Sequence, residues 1–181
     1  MNTILITILI IILLSLILVW FSLTYNKYQI LTIKINEVEA NIDTVLRKRF
    51  DLLNKSINII KTNTNIEDDI LPLISKLKSK KISNFELDRQ LYTIINEFNY
   101  YKETYQKLNA NDAFIKISNS LDESEYEISA LRKYYNDTIT EYNKMIKKLP
   151  SNIISILLKY KEKTYYDGKN MNDDITNDFK L

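Results

Sequence analysis

The chain has no cysteine and no histidine. Without Cys there is no disulfide, no lipid-modified cysteine and no thiolate metal site, and nothing is said about redox compartment. Without His, zinc motifs, Ser-His triads and Glu-x-x-His di-metal sites are excluded. One Gly and two Pro in 181 residues leave little material for tight turns or for a phosphate-cradling loop. Leu, Ile, Lys and Asn dominate instead, with thirteen Tyr, a composition that predicts long, rarely interrupted helices. Arg is scarce, at four residues, and the Ile, Asn and Lys excess suits an AT-rich genome as well as any structural demand. The 25 basic and 23 acidic side chains give a formal charge of +2 with no long block of one sign, so nucleic acid is not an expected partner. The length accommodates one compact domain plus accessory segments.

The longest uncharged stretch, Thr3 to Leu23, is nearly all Ile, Leu, Val, Trp and Phe, broken only by Thr3, Thr7, Ser15 and Ser22. About twenty helical residues span roughly 30 Å, the thickness of a bilayer core. A cleaved signal peptide has an apolar region of about 7–15 residues behind a basic start. This run is longer, Met1-Asn2 carries no basic side chain, and Ser22-Leu23-Thr24 is a poor cleavage site. An uncleaved transmembrane anchor over residues 1–23 is therefore expected, with Trp20, Tyr25 and Tyr28 as its interfacial aromatic belt. Lys27 and Lys34 follow the span and no basic residue precedes it, which favours an outside N-terminus and a cytoplasmic body.

Beyond the anchor, Leu31, Ile35, Val38, Ile42, Leu46, Phe50, Leu53, Ile57 and Ile60 recur at steps of three and four, the stripe of an amphipathic helix. No Gly or Pro intervenes, so one helix is expected from about residue 3 to residue 62. Thr62 to Asn65 is a polar break, after which Asp68 or Asp69 caps a short helix with Pro72 in its first turn, ending near Lys80. A second break at 81–84 precedes the stripe Leu91, Ile94, Ile95, Phe98, Tyr101, Tyr105 and Leu108. Asn111 or Asp112 then caps the last long helix. Its seam is Phe114, Ile117, Leu121, Ile128, Leu131, Tyr135, Tyr142, Met145 and Leu149, with Ser124 and Thr138 in the same register. Pro150 ends that helix, because it disfavours helical geometry in the residue before it and donates no backbone hydrogen bond. Residues 151–160 read as a short apolar helix, and residues 167–181 as a disordered polar tail.

Two stretches carry a family resemblance. One runs from Ile42 through Arg47-Lys48-Arg49-Phe50-Asp51 to Leu53; the other joins Glu125 through Arg132, Tyr134-Tyr135-Asn136, Glu141-Tyr142-Asn143 and Leu149-Pro150-Ser151-Asn152. With the N-terminal anchor they resemble the LemA family over roughly residues 20–166. Asn54 stands where that family commonly has Pro, and residues 63–90 match its pattern poorly. The resemblance implies an all-α protein found in bacteria: an N-terminal transmembrane helix continuing into an antiparallel, coiled-coil-like four-helix bundle over residues 24–166. It implies no particular reaction.

Arg47, Arg49 and Asp51 lie beside the first stripe, and Glu125, Arg132, Asn136 and Asn143 share one face of the last helix at steps of seven, four and seven. Their charged members are either simply solvated or pair across the two helices to fix register, as buried polar groups do in coiled coils; a partner's peptide on that face is a third reading. Thirteen tyrosines invite a stacking role, yet Tyr101, Tyr105, Tyr135 and Tyr142 lie on core stripes and read as packing. If the last helix returns to the membrane, Lys144, Lys147, Lys148, Ile153, Ile156, Leu157 and Lys159 form a basic and apolar segment at the bilayer surface. Alternatively, these residues cap an open bundle end.

The expected protein is a non-catalytic, single-pass cell-membrane module that uses no cofactor or metal and offers a helical surface to protein partners, with self-association left open. An externally facing envelope tether, or an accessory subunit of a membrane enzyme such as a protease, is the alternative.

Overall fold

The computed structural model describes residues 2–64 and 82–167. The short helix expected between Asp68 and Lys80, and the tail from Gly168 onward, lie outside them. The described residues contain four α-helices, a short 3-10 turn and no strand. Helix α1 is Asn2–Thr64, α2 Asn84–Thr104, α3 Asp112–Lys147 and α4 Asn152–Leu157, with the 3-10 turn at Leu108–Ala110.

Helix α1 runs unbroken for 63 residues, as the absence of Gly and Pro predicts. Its first part is long and apolar enough to cross a membrane, and none of the most apolar window is buried by the protein itself. From Tyr28 onward the same helix turns amphipathic. Tyr28, Leu31, Ile35, Val38, Ile42, Leu46, Leu53, Ile57 and Ile60 are buried, and Phe50 is half-buried. Helix α2 starts at Ser83, whose hydroxyl accepts the Glu86 N–H at 3.2 Å, an N-cap that satisfies one orphan donor of the first turn. Asn111 does the same for α3: its Oδ1 accepts the N–H groups of Ala113 at 3.0 Å and Phe114 at 3.1 Å.

The chain divides into two compact units: a terminal unit of Met1–Glu37 with Tyr135–Leu181, and a central unit of Val38–Tyr134. In the central unit α2 and α3 form an antiparallel hairpin. Arg132 pairs with Asp88 near one end, and Lys102 reaches Ser118 at 2.7 Å near the other. Phe98 stacks on Phe114, with ring centroids 4.7 Å apart. Lys48 meets Glu127 and Arg49 meets Glu125, so α1 runs antiparallel to α3. In the terminal unit the core is Tyr28, Leu31 and Ile35 of α1 with Tyr135, Ile139, Tyr142 and Met145 of α3 and Ile154 of α4.

The α3 seam is buried along its length except at two positions. Leu131 is half-buried, and Leu149, expected to close the seam, is 71 % exposed. The helix stops at Lys147, ahead of Pro150, so Leu149 leaves the helical register that would have turned it inward. The apolar segment expected over 151–160 is helical only at Asn152–Leu157. It closes with Lys159 at φ 56°, while the Tyr160 N–H donates to the Ser155 carbonyl at 2.9 Å and the Lys159 N–H to the Ile156 carbonyl at 3.3 Å. This is a Schellman ending, in which a left-handed residue lets the next N–H groups satisfy carbonyls the helix has left open. Residues 158–165 continue without helix.

Candidate functional site

Two polar constellations stand out, one in each unit. In the central unit Arg49 is completely buried, on the same face of α1 as Leu46 and Leu53. An arginine cannot shed its charge, so burial demands anionic partners around it. Nη2 meets Glu125 Oε2 of α3, and Nη1 lies 3.5 Å from Asp88 Oδ1 of α2. Asp88, itself buried, also accepts Arg132 Nε at 2.8 Å and pairs with its Nη2. Glu125 Oε1 lies 3.9 Å from Arg132 Nη1, which closes a ring of two arginines and two carboxylates. The charges cancel, and three helices are tied together at one level. Among the described residues Arg49 Nε has no hydrogen-bond partner.

The ring contains Arg49, Glu125 and Arg132, all picked out from sequence, but not Arg47 or Asp51. Arg47 pairs with Asp43 on its own helix at 2.7 Å and is exposed; that carboxylate raises its pKa further above the ordinary value. Asp51 is also exposed. Helical geometry explains the separation: side chains two positions apart on a helix point in different directions, so only the middle member of 47, 49 and 51 faces the core. Asp88 was missed. Its signal was spacing, since it precedes Leu91 by three and falls on the stripe of Leu91, Ile94 and Phe98.

Asn136 and Asn143 do something else. Asn143 is fully buried in the terminal unit, where its Nδ2 donates to the Lys163 carbonyl at 2.8 Å and its Oδ1 accepts the Lys163 N–H at 2.9 Å. Two turns back along α3, Asn136 Oδ1 accepts the Tyr166 N–H at 2.9 Å. The carboxamides replace the ladder that an extended segment would otherwise find in a sheet. Further contacts hold the same segment: Thr140 with the Tyr165 hydroxyl at 3.1 Å, the Tyr135 ring edge-on to Tyr166, and Gln29 donating to the Tyr160 hydroxyl at 2.9 Å.

Tyr28 is the hub of this unit. Its hydroxyl donates to the Met145 carbonyl at 2.7 Å with the Ser151 carbonyl also within reach at 3.2 Å, and its ring contacts those of Tyr142 and Tyr160. Burial pushes the phenols of Tyr28 and Tyr142 above their ordinary value; hydrogen bonds from Ser155 and Ser151 partly offset this at Tyr28. Around the hub, Lys144, Lys147, Lys148 and Lys159 are exposed, as are Leu149, Ile153, Ile156 and Leu157, while Ile154 is turned inward. Lys147 pairs with Glu162 at 3.1 Å.

Among the described residues no group of three or more Asp or Glu is placed to hold a metal ion. The carboxylates of the ring are already matched by guanidinium groups. These features define an all-α bundle protein whose leading helix is long and apolar enough to cross a membrane, with internal polar contacts that join its own segments. The sequence profile of the LemA family matches residues 38–179, and the chain belongs to that family. A search of curated proteins gives no match.

Proposed function

We propose that this LemA-family chain is a single-pass, membrane-tethered helical module that works by binding other proteins rather than by catalysis. The observation that carries the proposal is the division of labour along α1. One unbroken helix leaves residues 2–19, nearly all apolar, exposed, then supplies the core stripe of the body. Exposed apolar surface of that extent is unstable in water and at home in hydrocarbon. The anchor is thus continuous in one helix with the core stripe, which suits a protein whose position relative to the bilayer matters.

The conspicuous polar residues have structural partners, which supports a non-catalytic role. Arg49 and Arg132 neutralise Asp88 and Glu125, and Asn136 and Asn143 bind backbone. No nucleophile beside a general base is among them. The exposed side of α3 instead presents large aromatics, Tyr126 at 81 % and Tyr134 at 47 % exposure, of the type enriched in protein interfaces. We place the N-terminus outside and the body in the cytoplasm of a bacterial cell, because Lys27 and Lys34 follow the span.

Two experiments test this. A photo-crosslinker in place of Tyr126, used in cells with the full chain, should capture a small, reproducible set of proteins that a crosslinker in place of Tyr28 does not. Identical capture from both positions refutes a specific surface, and capture of a single membrane protease would make the chain an enzyme accessory. A reporter fused after Leu181 should be active only in the cytoplasm; activity only outside makes the chain an envelope tether.

A further inference from the structure

We infer that the turn and short helix over 149–158 form a second membrane contact, seated in the headgroup layer of an anionic leaflet beside the anchor. The inference rests on the membrane-tethered reading above and adds to it a specific lipid-binding surface.

Depth comes first. The apolar run ends at Leu23, and Tyr28 is five residues further on, roughly 7–8 Å along a helix at about 1.5 Å per residue. The headgroup region on each side of the hydrocarbon is about that thick. Tyr28 holds the end of α3 and the following turn at its own level, through its hydroxyl on the Met145 and Ser151 carbonyls and its ring on Tyr160. Because α3 is antiparallel to α1, its C-terminal end is directed towards the apolar run. The turn is rigid as well: Ser151 Oγ donates to the Met145 carbonyl at 2.7 Å, and Ser155 Oγ reaches the Ile146 carbonyl at 3.3 Å.

The chemistry of the exposed surface fits that depth. Ile154 and Ser155 are buried against the body, while Leu149, Ile153, Ile156 and Leu157 are 71 %, 54 %, 74 % and 66 % exposed. Four large aliphatic side chains within nine residues are seldom left in water together. Lysines flank them on both sides: Lys144 and Lys148 before, Lys159 and Lys161 after, all exposed and, among the described residues, none of these four in a salt bridge. Apolar side chains rimmed by exposed lysines match acyl chains below and anionic headgroups around, the pattern of an interfacial segment. A second copy of the chain would bring an identical lysine rim against the first, which charge repulsion opposes.

The chain has no cysteine, so single substitutions Ile17→Cys, Ile156→Cys and Glu37→Cys give unique spin-label sites in the full chain. Ile17 reports the anchor; Glu37 lies on α1 about 21 Å beyond Leu23 and serves as the aqueous control. In vesicles containing phosphatidylglycerol, Ile156 should show a several-fold higher ratio of lipid-borne to aqueous quenching than Glu37. That ratio should fall in pure phosphatidylcholine, and also on changing Lys144, Lys148, Lys159 and Lys161 to Gln, while the ratio at Ile17 stays high. A lipid-exposed Ile17 with an aqueous Ile156 overturns the inference and leaves the anchor standing. An Ile156 ratio indifferent to anionic lipid also overturns it. An aqueous Ile17 overturns the anchor itself.

Discussion

Asn143 of α3 bonds both backbone groups of Lys163, its carboxamide donating to the carbonyl at 2.8 Å and accepting the N–H at 2.9 Å. Twenty residues separate the two in the chain, and one buried side chain grips the C-terminal segment by both backbone groups of a residue. Asn143→Ala removes both bonds and leaves two backbone groups without partners, a loss of about 2–3 kcal/mol. Amide hydrogen exchange at Lys163 should accelerate strongly, and trypsin should cut after Lys161 and Lys163 in the variant sooner than in the parent. Asn136→Ala should speed exchange at Tyr166 and leave Lys163 protected. Parental exchange at Lys163 in Asn143→Ala would show that the other contacts of the segment suffice.

The charge ring predicts a contrast between two neighbouring arginines. Arg49→Ala strips a fully buried cation from two carboxylates and should cost about 3 kcal/mol, as breaking a buried pair does. Arg47→Ala removes an exposed, solvent-screened pair within one helix and should leave the midpoint close to the parent's. Arg132→Ala falls between, because its side chain is about one-third exposed (32 %) and solvent screens it, but it should still exceed the exposed Lys133→Ala. Thermal unfolding of the full chain in detergent measures all four. Equal midpoints across the set would remove the ring as a source of stability.

Stability should decline at alkaline pH. The phenols of Tyr28 and Tyr142 have pKa values raised by burial above the ordinary 10.0, so above that pH the folded state retains protons that the unfolded state releases. Their contribution is fully present below pH 10 and is lost as pH rises through the folded values. Unfolding midpoints between pH 8 and 11.5 should therefore drop at the upper end, and Tyr142→Phe should flatten the drop. An identical slope in Tyr142→Phe argues that other groups govern alkaline unfolding.

Lys159 occupies the left-handed region that its Cβ disfavours, at φ 56°. Lys159→Gly relieves that cost, and after the extra chain entropy of Gly it should stabilise the chain by about 0.5–1 kcal/mol. A midpoint below that of the parent would mean that the lysine side chain itself contributes more than the backbone loses.

The α1 rod, the α2 and α3 stripes and the stop before Pro150 were legible from sequence, because helix periodicity, capping and proline act over a few residues. The charged and amide residues at 125, 132, 136 and 143 were recognisable as one helical face for the same reason. Their partners were not. Whether Arg49 or Arg47 is buried depends on the rotation of α1 against its neighbours; that Asp88 completes the ring depends on how α2 lies beside α3; and that Asn143 binds Lys163 depends on a non-helical segment folding back along α3. Composition alone made an exposed apolar helix and a scarcity of turns inevitable in this chain. Only tertiary packing decided which polar side chains face inward, because a buried charge or amide is tolerable solely where another part of the chain supplies its counter-charge or hydrogen bonds.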